Sequence, residues 1–183
     1  LIIKEMSNDL VLEMIEKHFV TDMLVLTIEY DVENLKNSNY KKFCIDGTKA
    51  DRYGRTVPKP SHGTYRLESK TSSTRLICDG FVKLYDNIIN KNLLIRKIYL
   101  TVGNLADEAE VNNKENQYEQ VNLFTNYKEL EEKRRIENEK LAKEKNIQKA
   151  IIEIKNKYGK NAIIKAMDLE EDATAIERNG QIG

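Results

Sequence analysis

The chain has 183 residues, 40% of them hydrophobic and 33% charged, which is enough for one modest core and a largely charged surface. Lysine plus arginine and aspartate plus glutamate balance at 30 each, so the net charge excludes no partner and only a local basic patch would indicate nucleic acid. No apolar run reaches the length of a membrane span and the first residues do not form a signal peptide, so we expect no membrane partner.

The sequence contains few residues whose spacing would suit catalysis. Cys44 and Cys78 lie far apart and in no metal-binding spacing, which is typical of reduced thiols in a cytoplasmic protein. Neither His18 nor His62 has a second ligand at a suitable spacing. The densest carboxylate run most simply forms a solvated patch; it consists of Asp168, Glu170, Glu171 and Asp172. The sequence therefore predicts no catalytic residue, no metal site and no cofactor in this chain.

The first elements in chain order are a helix and a strand. Residues 1–19 place apolar side chains three and four positions apart, which predicts an amphipathic helix. Residues 23–31 alternate strictly between apolar and polar side chains, which predicts a strand. Residues 32–62 lose this periodicity, apart from a short strand that we expect around residues 40–45.

The predicted loop of residues 32–62 is long and locally basic. Tyr40 and Tyr53 are interleaved with its cations, which are Lys41, Lys42, Lys49, Arg52, Arg55 and Lys59. Such a segment suits a loop that follows a phosphate backbone, but its composition equally suits a solvated insertion. Composition alone favours neither interpretation.

A strand, a helix and a further strand follow this loop. Residues 63–71 alternate again, Ser73 or Thr74 provides a helix N-cap, and residues 95–105 alternate cleanly. We expect the strand of residues 95–105 to organise the sheet. The order of elements predicts an α+β fold in which both helices cover one face of the sheet and leave the other face bare.

The rest of the chain predicts a linker and a helical tail. Residues 107–127 form a mostly polar linker, and residues 128–145 carry opposite charges four positions apart, as in a solvent-exposed helix. The last turns of that helix have an apolar face to bury, formed by Ile147, Ile151, Ile154 and Tyr158. We therefore divide the chain into a folded domain of residues 1–106, the linker, and a tail of residues 128–183.

The bare sheet face is the first candidate binding site. Its candidate residues are Arg66, Lys70, Arg75, Lys97 and Tyr99. Arg75 lies at the start of a helix, where backbone amides also favour phosphate. This set predicts sequence-tolerant contacts with a nucleic-acid backbone, while the alternative is an ordinary solvated sheet face.

A short peptide in the linker is the second candidate site. Residues 120–124 read Q-V-N-L-F and place Leu123 beside Phe124 in an otherwise polar segment. Two exposed hydrophobic side chains on a flexible tether suit the pocket of a partner protein. The alternative is that both pack back onto the domain.

Several segments resemble the C-terminal little-finger domain of Y-family translesion DNA polymerases, most closely the UmuC/MucB/ImpB-like branch of Gram-positive bacteria. They are M-L-V-L-T-I-E-Y-D-V-E-N at residues 23–34, R-T-V-P-K-P-S-H-G-T-Y-R-L-E-S-K-T-S-S-T at 55–74 and I-R-K-I-Y-L-T-V-G-N-L at 95–105. The similarity extends through K-Y-G-K-N-A-I-I-K-A to E-R-N-G-Q-I-G at the end of the chain. Residues 120–124 are similar to the family's clamp-binding pentapeptide, although Val121 and Asn122 depart from its commonest form.

This resemblance implies a four-stranded mixed sheet with two helices on one face, a first strand upstream of Leu1, and a helical tail. The sheet would lie in the major groove of primer-template DNA and grip phosphates through the five candidate residues of the bare face. Gln120, Leu123 and Phe124 would dock on the bacterial sliding clamp. The Mg²⁺-binding catalytic palm has no counterpart here, so the chain would be the DNA-gripping and clamp-tethering part of an error-prone polymerase of DNA repair and the SOS response.

The alternative function is a non-enzymatic protein–protein interaction module. The charged helix of residues 128–145 would then pair with a partner, and the sheet face would be inert. The heptad regularity of this helix is poor, because only Leu130, Ile136 and Leu141 interrupt the charge. The pattern therefore disfavours this second interpretation.

Overall fold

A computed structural model describes residues 1–115 and 127–181, with side chains described for residues 1–111 and 131–181. The helices are α1 (Ile2–Glu16), α2 (Glu33–Lys36), α3 (Ser38–Lys41), α4 (Thr74–Ile88), α5 (Glu108–Glu115), α6 (Tyr127–Tyr158) and α7 (Ala175–Gly180), with a 3-10 turn at Ala166–Leu169. The strands are β1 (Phe19–Tyr30), β2 (Thr48–Ala50), β3 (Thr56–Pro58), β4 (Ser61–Thr71), β5 (Ile95–Gly103) and β6 (Ala106–Asp107).

The central strand of the main sheet is β1, with β4 on one side and β5 on the other. The short strand β6 pairs with the first two residues of β1, and β2 and β3 form a separate hairpin. The predicted α+β fold with a four-stranded sheet is confirmed. The described sheet is antiparallel rather than mixed, and it is organised around β1 rather than around β5.

The core lies on one face of β1. Leu24, Leu26 and Ile28 are fully buried, and Tyr30 is 3% exposed, because alternate residues of a strand point to the same side. They belong to one hydrophobic cluster with residues of α1 and α4, among them Val11, Met14, Ile77 and Phe81. Helices α1 and α4 therefore cover the same face of the sheet, as the sequence predicts.

The helix α4 begins and packs as its sequence predicts. The Leu76 N–H donates a hydrogen bond to Ser73 Oγ at 3.3 Å, so Ser73 is the N-cap. Gly80 allows a close approach to the central strand, since a Cβ atom at this position would lie 2.6 Å from Cδ1 of Leu24. The helix therefore lies directly on β1.

The segment between β1 and β4 contains more structure than we expected. Residues 38–41 form a helical turn, α3, whose Asn39 N–H donates to Asn37 Oδ1 at 2.9 Å, so the predicted strand around residues 40–45 is wrong. The strands of this segment are β2 and β3, which at three residues each are too short to show a period. The predicted linker also begins with regular structure, namely β6 and α5.

The helix α6 contacts the domain through polar side chains, while Ile152 of the same helix packs against the hydrophobic core. Gln148 is 5% exposed, and its Nε2 donates to the Ser72 carbonyl at 3.1 Å and to Thr74 Oγ1 at 2.7 Å. Ile147 and Tyr158, which the sequence places on the buried face, are 61% and 67% exposed. The prediction is wrong for these two residues, whereas Ile151 of the same predicted face is half-buried. The start of α4 presents carbonyl and hydroxyl groups, which an amide side chain satisfies and an isoleucine does not.

The end of the chain docks on α1. Glu5 is 1% exposed, and its carboxylate accepts hydrogen bonds from the backbone N–H of Thr174 at 3.2 Å and from Thr174 Oγ1 at 3.0 Å. Arg178 of α7 lies 3.7 Å from the same carboxylate. The described part of the tail is thus packed on the domain. No helix among the described residues has the length and apolarity that crossing a membrane requires.

Candidate nucleic-acid interface

The face of the sheet opposite the helices is built from rows of side chains across three strands. In one row, Thr27 of β1 pairs with Tyr99 of β5 and with His62 of β4, and Thr27 Oγ1 lies 2.9 Å from His62 Nδ1. In the next row, Val25 pairs with Thr101 and Thr64. Residues that pair directly in an antiparallel sheet share a face, so these hydroxyl and ring groups form one surface, which we call the open face. Tyr99 is 45% exposed on it.

Two of the predicted cations lie at opposite ends of the open face. Lys97 pairs in register with Glu29 of β1, at the end of the sheet near the β2–β3 hairpin. Arg66 pairs with Met23, at the other end. The strand pattern placed both side chains correctly on the face opposite the core, and the register sets them on strands that flank β1.

Arg66 and Lys70 converge on one acidic residue, Asp22. The Lys70 ammonium lies 3.4 Å from Asp22 Oδ1 and donates to the carbonyl of Asn104, while Arg66 Nη1 lies 3.9 Å from Asp22 Oδ2. Partial burial acts to raise the pKa of Asp22, but the hydrogen bond from Asn104 Nδ2, at 2.7 Å, and the charge of Lys70 outweigh it and lower that pKa. Lys70 is therefore held within a network rather than extended toward a ligand.

Arg75 does not lie with the other four candidates. It is in the first turn of α4 on the helical side of the sheet, where its guanidinium pairs with Glu137 of α6. Glu144 of α6 accepts hydrogen bonds from the Arg75 N–H at 3.0 Å and from Ser73 Oγ at 2.6 Å. The backbone amides that we expected to favour phosphate are therefore occupied by a carboxylate of the same chain.

The open face is closer to neutral than the strand cations alone predict. Asp22 lies beside Arg66 and Lys70, and Glu29 lies opposite Lys97 in the sheet register. These acidic groups belong to β1. The sequence showed which residues of β1 are polar, but it did not show that β1 lies between β4 and β5. Hydroxyl groups, a tyrosine and a balanced set of charges favour weak, sequence-tolerant contact over tight electrostatic binding.

A group of cations that the strand pattern missed lies at one end of the open face. The β2–β3 hairpin brings Lys49 and Arg52 to the same cleft as Arg96 and Lys97 of β5. The basic composition of the loop was visible in the sequence, but its position against β5 was not. The sequence carried no signal for Arg96, because its neighbours in the cleft lie some 45 residues earlier in the chain.

The described residues give little for catalysis. None of the histidine, cysteine, aspartate and glutamate side chains described here forms a group of three that could hold a metal ion. Cys44 and Cys78 are free thiols, and burial raises the pKa of both, which suppresses the reactive thiolate. The second candidate site, with Gln120, Leu123 and Phe124, lies outside the described residues.

Comparison with known proteins gives no match. No family model, no curated protein and no solved structure is significantly similar to the chain. Function is therefore inferred from the residues and their geometry.

Proposed function

We propose that the chain is the DNA-gripping and clamp-tethering region of an error-prone translesion DNA polymerase acting in DNA repair and SOS mutagenesis. The observation that carries this proposal is the open face, on which Arg66, Tyr99 and Lys97 stand on two strands flanking β1 with the helices on the other side. The catalytic palm and its Mg²⁺ would belong to another part of the polymerase. The chain itself would catalyse nothing.

Duplex DNA is the partner that suits this face. Its hydroxyl groups, from Thr27, Thr64 and Thr101, and its two terminal cations can contact phosphates and sugars, which carry no sequence information. Few groups on the face are long and bidentate, as base reading in the major groove requires. A polymerase that moves along any sequence needs this kind of contact.

A titration with primer-template DNA at several salt concentrations tests the DNA-binding part of the proposal. The double variant Arg66→Glu/Lys97→Glu should bind the duplex roughly tenfold more weakly, with a log–log salt slope shallower by about 1–2, since about one phosphate contact is lost per cation. Lys83→Glu, on the exposed side of α4, is the matched control and should leave both quantities unchanged. Equal binding by the double variant and the control would refute the open face as the DNA site.

The clamp-binding part needs a separate titration against a bacterial sliding clamp. Residues 120–124 would insert Leu123 and Phe124 into the clamp's pocket, with Gln120 adding polar contacts. We expect saturable binding that disappears in the Leu123→Ala/Phe124→Ala variant while its circular dichroism is unchanged. Absence of binding by the unmodified chain would remove the tether from the proposal and leave the DNA contact alone.

The alternative, an interaction module built on residues 128–145, loses support from the contacts of α6. Glu137 pairs with Arg75, and Glu144 accepts two hydrogen bonds at the start of α4, so this part of the helix already engages its own domain. Among the described side chains of this segment, Ile136 is 40% exposed and offers a small apolar surface to a partner helix.

A further inference from the structure

The end of the open face near β5 is closed on one side by the β2–β3 hairpin, which leaves a cleft of about 340 Å³ between them. The hairpin contributes Lys49, Arg52 and Tyr53 to this cleft, and β5 contributes Arg96 and Lys97. This volume is at the lower end of the range of about 300–1,000 Å³ that is usual for sites of small ligands. We call it the hairpin cleft.

The hairpin has a defined turn rather than a flexible tip. The Asp51 carboxylate accepts hydrogen bonds from the backbone N–H groups of Tyr53 and Arg55, both at 2.9 Å, and from Arg55 Nε at 2.8 Å. Gly54 adopts φ +75°, a conformation that suits glycine, and donates to the Asp51 carbonyl at 3.0 Å. Because one carboxylate holds both the turn backbone and the Arg55 side chain, the wall of the cleft is preorganised.

Four cations of the hairpin cleft make no ion pair within the described part of the chain, although the carboxylates of Glu29 and Asp51 also line the cleft. Lys49, Arg52, Arg96 and Lys97 make no ion pair there, whereas Arg55 is paired with Asp51 at 2.7 Å. The cations lining the cleft outnumber its two carboxylates, so the cleft carries a net positive charge that a phosphate group offsets. The hairpin cleft thus gathers more cations than the rest of the open face.

Aromatic rings accompany these charges. Tyr53, at the tip of the hairpin, is 79% exposed, and Tyr99 is 45% exposed at the floor of the cleft. The Arg55 guanidinium lies 5.2 Å from the centre of the Tyr53 ring. An exposed ring close to several cations is a platform on which a nucleobase can stack.

We propose that the hairpin cleft binds single-stranded DNA, with a phosphate among Lys49, Arg52, Arg96 and Lys97 and a base stacked on Tyr53. This inference rests on the proposed function, because a primer-template bound at the open face carries an unpaired template strand. A duplex is a poor occupant of the cleft, since its bases are already stacked and its paired strands cannot enter a space of this size.

A single tryptophan tests the stacking directly, because the chain contains no tryptophan of its own. In the full chain carrying Tyr53→Trp, a short oligodeoxythymidine should quench the tryptophan fluorescence, and an abasic oligonucleotide of the same length should quench it far less. Equal quenching by the two oligonucleotides, or none by either, would overturn the stacking.

Binding measurements complete the test and separate it from the duplex contact. Arg52→Ala/Tyr53→Ala should weaken binding of oligodeoxythymidine roughly tenfold while binding of blunt duplex changes less than about twofold. The matched control, Lys41→Ala/Ile45→Ala, removes a cation and an exposed apolar side chain from the same segment outside the cleft and should change neither. Loss of duplex binding in Arg66→Glu with unchanged oligodeoxythymidine binding would show that the two sites are independent. Loss of oligodeoxythymidine binding to the same degree in the control and the cleft variant would refute the cleft.

Discussion

Asn34 and Leu94 form a two-way hydrogen-bonded bridge between the end of β1 and the start of β5. Asn34 Oδ1 accepts from the Leu94 N–H at 2.9 Å, and Asn34 Nδ2 donates to the Leu94 carbonyl at 2.9 Å. Nδ2 also donates to the carbonyl of Asp31 at 2.8 Å, and the Asn34 residue is fully buried. The Leu94 carbonyl also accepts from the Asp31 N–H at 2.9 Å, so a side chain and the backbone together connect the end of β1 to the start of β5, just before Arg96 and Lys97.

Replacement of this asparagine should be costly for stability. Asn34→Ala removes three hydrogen bonds, but the carbonyls of Leu94 and Asp31 still accept from the N–H groups of Asp31 and Asn34, so only the Leu94 N–H loses its partner. We therefore expect the free energy of unfolding to fall by about 1–3 kcal/mol. Urea denaturation followed by circular dichroism measures this change. Asn92→Ala, in the exposed turn that precedes β5, is the control and should change the free energy by less than about 0.5 kcal/mol. A loss for Asn34→Ala as small as that of the control would mean that water replaces the amide.

Gly80 is a second position at which a substitution should lower the stability of the fold. Gly80→Ala gains about 1 kcal/mol of helix propensity but drives a methyl group into Leu24 on the central strand, which costs about 1–3 kcal/mol. We therefore expect a net loss of about 1 kcal/mol and a lower melting temperature. Gly180→Ala, at the end of α7 with open space around the position, should have the opposite or no effect. A melting temperature that rises in both variants would show that α4 can shift away from β1.

The sequence predicted the elements whose pattern is local. The alternation in β1, β4 and β5 and the Ser73 cap of α4 are visible within a few residues, and all lie where we expected them. The central position of β1 was not predictable, because it depends on which strands pair across the chain. The hairpin strands β2 and β3 were missed for another reason, since three residues show no period.

The candidate site was predictable to the same extent. The face of Lys97 and Tyr99 follows from the period of a strand. Arg75 was misplaced because it belongs to α4, which packs on the other face of the sheet, and there it contacts α6, more than 60 residues later in the chain. The residues close to Arg96 were also not predictable, because they belong to the β2–β3 hairpin, which is distant in the sequence. Local pattern gives the side of an element on which a residue lies, and only tertiary packing gives its neighbours.

Glu144 should contribute to the docking of α6 at the start of α4. Glu144→Ala removes two hydrogen bonds, including a charge-assisted one with Ser73 Oγ, so we expect a loss of about 1–2 kcal/mol in the free energy of unfolding. Amide hydrogen exchange of α6 should also accelerate, because docking protects this largely polar helix. Glu153→Ala, an exposed position on the same helix, is the control and should change neither quantity. Unchanged exchange in Glu144→Ala would show that the other contacts of α6, among them those of Gln148 and Glu137, hold the helix without Glu144.

Asp22 should make the stability of the fold depend on pH. Hydrogen bonds and the charge of Lys70 lower its pKa in the folded chain despite the opposing effect of burial, so the ionised form stabilises the fold. This contribution is complete above the pKa of an unfolded aspartate, about 3.9, and is lost as the pH falls through the lower folded pKa. Asp22→Asn should therefore be less stable than the unmodified chain at neutral pH, by about 1 kcal/mol for a partly exposed network.

The measurement that checks this is urea denaturation of both proteins between about pH 3 and pH 7. The difference in free energy between them should be constant at the upper end and shrink toward the lower end, where the carboxylate takes up its proton. Asp86→Asn, an exposed carboxylate on α4 away from this network, should differ from the unmodified chain by less than about 0.5 kcal/mol at every pH. A difference for Asp22→Asn that grows as the pH falls would reverse the sign of the linkage, and Asn104 and Lys70 would then not be the groups that hold the charge.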